Sequence, residues 1–423
     1  MINSLVICFA VLSVAFFRFD PGLAEAQQAP ARAPAVAPVG APVGAPARAP
    51  RSSPPGDEKW DKVKVGYWPS YASQMFPASD LSTDVYTHLC FAFANVNSTT
   101  FRVEIPVETM DVAREFTSLA KSKNPLIKTL VSIGGAGANT TVFSQMASSS
   151  SSRGEFVRSS ISLARTYGFD GIDVDWEFPH SAADMTNIAS LFSELRQQID
   201  SEAQSTYRSR LLLTAAVYYS NMARDPSIPG MRYEYPVQTM ARTLDWANIM
   251  CYDYHGTWEP SLTGEHSALT DLSSNLSSSY GIQSWLDGGL PPHKAVMGLA
   301  AYGRSWLLAN SSLDHGVGAA ARGPGPAMPG GSAETGVLFY SEIQEFIRSK
   351  NATVVDDSET SSAYAFAGDL WVGFDNQASI EKKVEFLKSK EMRGFFFWTA
   401  SFDSGAVLTT TGKFFLALFI HSM

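Results

Sequence analysis

The sequence predicts an α/β fold: a closed (β/α)8 barrel of the TIM type, with a small α+β unit inserted between strands seven and eight. Two observations carry this. Eight short apolar runs alternate with helix-like stretches from about residue 60 to 400, and the interval before the last run is too long for one helix. Strands that alternate with helices form a parallel sheet, and eight of them imply a barrel rather than an open sheet. Composition agrees: 423 residues, 45% apolar and 17% charged, leave ample material for one large core.

The chain opens with an apolar run, Leu5 to Phe17, followed by Ala24-Glu25-Ala26. A membrane span needs ~20 residues, so the run reads as a signal peptide over residues 1–26 with a small-residue cleavage site. Residues 27–56 are rich in Ala and Pro. Pro removes backbone donors and Ala offers little to bury, so this stretch is expected to be a disordered spacer. Five Asn-x-Ser/Thr sequons, at Asn97, Asn139, Asn275, Asn310 and Asn351, suit a glycosylated secreted protein. The expected destination is extracellular, in the apoplast or cell wall, with the vacuole as the other end of the secretory route.

The barrel is expected to begin in residues 57–307. Its runs are Val63 to Trp68, His88 to Ala94, Lys128 to Gly135, Gly171 to Phe178, Leu211 to Tyr218, Ala247 to Tyr254 and Ala295 to Tyr302, with Gly394 to Trp398 as the eighth. Val107 to Ser122, Gly154 to Tyr167 and Ala182 to Gln204 read as helices between them. Residues 308–378 form the predicted insertion, and 379–423 the last part of the barrel with a tail. The tail's apolar stretch, Phe414 to Ile420, is too short to span a membrane.

A net charge of −9 and the lack of any basic stretch argue against a nucleic-acid partner. Beyond the leader only Cys90 and Cys251 remain, in different strands, so no disulfide framework or Cys-x-x-Cys zinc site underlies the fold.

The densest chemistry is Asp170-Gly171-Ile172-Asp173-Val174-Asp175-Trp176-Glu177. Side chains alternate along a strand, so Asp173, Asp175 and Glu177 share one face while Ile172, Val174 and Trp176 share the other. In a barrel the acidic face looks inward and Glu177 reaches the C-terminal rim, where barrel active sites lie. Asp170 is out of phase and is expected to stabilise the strand's start. Two charges ~6 Å apart at an effective dielectric of ~20 repel by roughly 3 kcal/mol, about two pKa units. One proton should therefore stay on the row near neutral pH, as a general acid requires. An ordinary strand with a polar face, or an acidic metal-binding strand, would give a similar run.

With DGIDVDWEFP in view, the chain resembles glycoside hydrolase family 18, and within it the plant class V chitinases. The D-x-x-D-x-D-x-E pattern falls on Asp170, Asp173, Asp175 and Glu177. The S-x-G-G pattern falls on Ser132, Gly134 and Gly135, M-x-Y-D on Met250, Tyr252 and Asp253, and the eighth-strand tryptophan is Trp398. The likeness runs from about Trp60 to Asp403; the stretch after Asp403 departs from it.

The resemblance implies a retaining, substrate-assisted hydrolysis, an exception to the two-carboxylate scheme. Glu177 would protonate the glycosidic oxygen while the sugar's own 2-acetamido oxygen attacks the anomeric carbon. Asp175 would hold the acetamide N–H, with Asp173 as its proton-sharing partner. Tyr252 would bond the acetamide carbonyl, Asp253 would help hold the distorted sugar, and Trp398 would form an apolar floor. Met250, Tyr67, Phe93, Arg304, Trp258 and Trp371 are candidate substrate-binding residues, with Trp68 and Trp306 beside them. Ser132, Gly134 and Gly135 read as structural, the glycines permitting a tight turn. No metal or cofactor is implied, and the implied partners are chitin or N-acetylglucosamine oligosaccharides bound by a monomer. A glycan-binding lectin on the same scaffold, and a hydrolase of N-glycan cores, are the alternatives.

Overall fold

The computed structural model describes residues 62–328 and 331–417. The signal-peptide and spacer readings lie outside these residues.

Eight apolar runs become eight parallel strands, numbered here in chain order: β1 (Val63–Pro69), β2 (His88–Val96), β3 (Lys128–Gly134), β4 (Gly171–Asp175), β5 (Leu212–Val217), β6 (Trp246–Ile249), β7 (Ala295–Ala300) and β8 (Gly394–Trp398). Each pairs with the next, and β8 pairs back onto β1 through Val63↔Gly394 and Val65↔Phe396, so the ring is closed. Closure leaves no sheet edge.

Period-two alternation sorts the side chains. Ile172, Val174 and Trp176 point outward into a core shared with Phe143, Phe156, Leu191 and Leu195 of the surrounding helices Thr140–Ala147, Ser150–Thr166 and Ala182–Thr206. Inside the barrel, Val63, Val65, Cys90, Leu130, Trp246, Val296 and Phe396 pack together, so the lower lumen is filled and only its C-terminal mouth is left for chemistry. Two of these helix starts are capped by short polar side chains: Asn139 accepts from the Thr141 N–H and Ser181 from the Asp184 N–H.

Between β7 and β8 the chain leaves the ring to build an antiparallel sheet. Its order is Ala321–Pro324, Tyr302–Leu308, Leu370–Phe374, Ser362–Ala367 and Thr353–Asp357, with Val337–Phe339 also pairing to Tyr302–Leu308. Helix Tyr340–Lys350 buries Ile343 and Phe346. The sheet takes in Tyr302–Leu308, of which the sequence reading assigns all but Leu308 to the barrel. The apolar run Ala295 to Tyr302 continues past the end of β7, and the switch from parallel to antiparallel pairing after Ala300 falls inside it.

Backbone hydrogen bonds and a buried ion pair fix the inserted unit. The long loop after β6 is tied to it by Thr263 N–H to the Ala319 carbonyl and by Leu269 N–H to the Thr360 carbonyl. Where the chain returns to the barrel, Lys383 donates to both oxygens of Asp375, at 2.5 and 2.6 Å, and to the Ser267 carbonyl; both charged groups are buried. The tail after Asp403 forms a helix, Val407–Ala417, that buries Leu408 and Leu416; the Asp403 carboxylate accepts from the N–H groups of Leu408 and Thr409 at its start.

Candidate active site

The site is assembled from the register of β4 with its neighbours. Asp173 lies level with Ser132 on β3 and Thr214 on β5. Both hydroxyls donate to its carboxylate, Ser132 to Oδ2 at 2.8 Å and Thr214 to Oδ1 at 2.6 Å. Tyr67 adds its hydroxyl to Oδ2 at 2.9 Å, and the Asn248 amide approaches Oδ1 at 3.3 Å. Burial pushes the Asp173 carboxyl above its ordinary range and these four donors pull it back. All four lone-pair positions are then occupied, and Asp173 makes no bond to Asp175.

Two residues on, the surroundings reverse. The register partners of Asp175 are Gly134 and Ala216, which carry no donor. Its Oδ1 is buried without a hydrogen-bond partner. Burial, then the neighbouring charges of Glu177 and Asp173, hold the Asp175 carboxyl well above its usual value. Glu177, half-buried beyond the strand end, is pushed up to about 8 by burial and by the charge on Asp253. Asp175 and Glu177 thus form a neighbouring carboxyl pair that keeps a proton through the neutral range.

Asp253 sits at the mouth of the barrel beyond β6, with its backbone in the left-handed region at φ 61. Burial alone would raise its carboxyl. The Arg304 guanidinium, 2.8 Å from Oδ1, outweighs that and holds it well below the carboxylate range. Arg304 also reaches Glu334 and covers one face of Trp258, 5.3 Å from the ring centre. Its Nε and Nη1 are therefore committed to carboxylates; it acts through Asp253.

The floor is aromatic. Trp398 and Phe93 are both half-buried and stack at 5.6 Å with planes 23° apart. Tyr252, half-buried, stands edge-on to Phe396 and Tyr302. Met250 is 9% exposed and packs below them. Gly135 is required here: its φ is +83, and a Cβ on it would lie 2.5 Å from the Phe93 ring.

Four candidates lie elsewhere than expected. Tyr67 is buried beneath the site and bonds Asp173, so it offers no surface to a ligand. Trp371 and Trp306 are wholly buried, packed on each other in the inserted unit at 5.6 Å. Trp68 is wholly buried against Phe116. These rings fill cores, the common fate of aromatics. Asp170 lies at the opposite end of the strand, accepting from Thr129 N–H and pairing with Lys121 at 2.9 Å. His180 and His255 bond the Phe178 carbonyl and Glu259 in their loops.

Sequence reasoning passed over Thr214, Asn248, His266 and Glu334. Thr214 and Asn248 could have been found from strand phase, since each is a polar residue on an inward position of an apolar strand. His266 and Glu334 come from loops and carry no such signal.

A protonated carboxyl at the mouth of a parallel barrel, with an aromatic floor and a second carboxylate clamped by arginine, defines a barrel hydrolase of the glycoside-cleaving kind. The family model for glycosyl hydrolases family 18 matches residues 63–403, and the chain belongs to that family. It is 40% identical over 341 residues to the class V chitinase CHIT5a of Medicago truncatula, covering 81% of this chain and 86% of that one. Among solved structures, a GH18 chitinase from Cycas revoluta in complex with (GlcNAc)3 is 43% identical with a TM-score of 0.77, over 84% of this chain and 99% of that one. A chitinase-like agglutinin from Robinia pseudoacacia is 34% identical with a TM-score of 0.76, over 84% of this chain and 100% of that one.

Proposed function

We propose that this protein is a chitinase that hydrolyses β-1,4-linked N-acetylglucosamine polymers and oligomers with retention of configuration. The observation that carries the reading is the contrast along one strand. Asp173 is saturated with donors while Asp175, two residues on, has none for Oδ1 and neighbours a protonated Glu177. An unpartnered buried acceptor calls for a donor from the ligand, and the N–H of a 2-acetamido group supplies one.

In this reading Glu177 delivers its proton to the glycosidic oxygen as the bond to the anomeric carbon breaks. The acetamido oxygen closes on that carbon to give an oxazolinium ion. Asp175 accepts from the acetamide N–H and so aligns the attacking oxygen, and Tyr252 donates to that oxygen. Water, deprotonated by the Glu177 carboxylate, then opens the ring from the face the leaving group vacated, which restores both the configuration and the acid. Asp173 contributes as a fixed buried charge that keeps the proton on the Asp175–Glu177 pair. Trp398 and Phe93 present the apolar floor to the sugar face. The secreted destination, a monomeric state and hydrolysis of long polymers along the cleft walled by the inserted unit belong to the same proposal.

The barrel alone does not separate hydrolysis from binding, since an agglutinin shares it. The retained acid row favours hydrolysis. The experiment is turnover of a chitin hexamer with anomeric analysis of the products by NMR. The parent should release β-anomers, and Glu177→Gln should lose at least about a hundredfold, since a general acid contributes ~10²–10⁴. Binding without turnover in the parent would make it a lectin.

A further inference from the structure

The loop after β6 folds back over its own start: the Tyr254 N–H donates to the His266 carbonyl at 3.0 Å. This brings the wholly buried His266 ring against the Tyr302 ring, 4.9 Å between centres. Its Nε2 lies 3.1 Å from the Tyr302 carbonyl oxygen. A carbonyl can only accept, so Nε2 carries the hydrogen, and a neutral imidazole then turns a bare Nδ1 to its other side. On that side, 3.7 Å away, is Oδ1 of Asp253, the oxygen that accepts from Arg304. The gap is longer than a hydrogen bond, and Nδ1 has no partner within hydrogen-bond distance.

We infer that His266 is a positioning residue for the reaction: its buried ring walls Asp253 in against Arg304, so that the Asp253 charge stays directed at Glu177. The inference rests on Glu177 being the acid. The charged and titratable groups around the ring are Tyr302, whose ring it meets, Asp253, Arg304 and, from the end of strand Leu370–Phe374, Asp375. Those around Glu177 are Asp175 on its own strand, Asp253 and Tyr252 beyond β6, Tyr71 after β1 and Tyr235. A second proton on His266 would put an N–H at Nδ1, bond Asp253 and cancel much of its field. Burial opposes that proton, and so does Arg304, while Asp253 favours it; the net effect lowers the ring's affinity below the ordinary histidine value.

The test is kcat/KM for the chitin hexamer against pH in the parent, His266→Ala and His266→Gln. The alanine variant removes the wall, frees Asp253 to turn from Arg304 and admits water. Its basic limb should move to lower pH by about one unit, a rate ratio near tenfold at the alkaline end. The glutamine amide can still donate to the Tyr302 carbonyl, and its limb should move less. A ring that serves only stability would lower Tm and scale the rate equally at every pH. A folded His266→Ala with the parent's limb overturns the inference. Should His266→Ala fail to fold, nitrogen-labelled histidine in the parent decides: one ring, identified by its absence in His266→Gln, should show protonated Nε2 and bare Nδ1 from pH 5 to 8. A cationic ring at pH 6 overturns the inference. That spectrum does not depend on turnover, so an active Glu177→Gln would reject the proposed mechanism while leaving the ring's state on record.

Discussion

The carbonyl oxygen of Asp175 lies 2.1 Å from the point where a side chain on Gly134 would begin, because the two are register partners on β4 and β3. Gly134 also has φ +119, a conformation that L side chains rarely adopt. Gly134→Ala must therefore displace the backbone that aims Asp175. We expect turnover of the chitin hexamer to fall about a hundredfold, the cost of a misplacement near 1 Å, or no soluble protein. Gly230, at φ +78 with nothing within 4 Å, is the control. Gly230→Ala should cost about 1 kcal/mol of backbone strain and leave the rate alone. Equal tolerance of both would contradict the register.

The raised carboxyl at Glu177 has a thermodynamic signature. Burial and Asp253 lift it from 4.5 to about 8. Between those values the folded chain holds a proton that the unfolded chain has released, so stability should decline as pH rises across the window. Tm measured from pH 4.5 to 8 should fall in the parent and fall less steeply in Glu177→Gln. An identical slope in the two proteins would mean that Glu177 titrates normally.

Thr214 gives Asp173 its shortest hydrogen bond, 2.6 Å, inside a wholly buried cluster. Thr214→Val keeps the shape and deletes the donor, leaving a buried acceptor short of one partner. Urea denaturation should register a loss of about 1–3 kcal/mol, accompanied by slower turnover, whereas Thr214→Ser should restore both. No change in either quantity would show that the bond is dispensable.

Lys383 and Asp375 form a buried ion pair where the inserted unit rejoins the barrel. Removing one partner strands the other charge, so Lys383→Met should cost about 3–5 kcal/mol. The double change Lys383→Met with Asp375→Leu should recover much of that loss. If the double variant is as unstable as the single one, the Ser267 carbonyl contact matters more than the charge pairing.

Much of this architecture was legible in the residues because its causes are local. A parallel barrel buries both faces of every strand, and the resulting apolar runs mark β1 to β8. The alternation Ile172, Asp173, Val174, Asp175 states which face is which. Tyr67, Trp306 and Trp371 were misjudged because an aromatic side chain looks the same in a sequence whether it floors a cleft or fills a core. The difference lies in which strand packs over it. The start of the insertion was misjudged because the direction of pairing changes at Ala301, inside the apolar run Ala295 to Tyr302. The donors to Asp173 needed the register of three strands at once, and the His266–Asp253 approach needed a loop to close on itself. Neither is a property of any short stretch.

The ring joins its first strand to its last: Val63 lies beside Gly394. During synthesis β1 must wait, one side unpaired, until the whole inserted unit and the helix Gln377–Ser389 have left the ribosome. A domain that cannot finish its hydrogen bonding until the final strand arrives is exposed to off-pathway pairing for most of its birth.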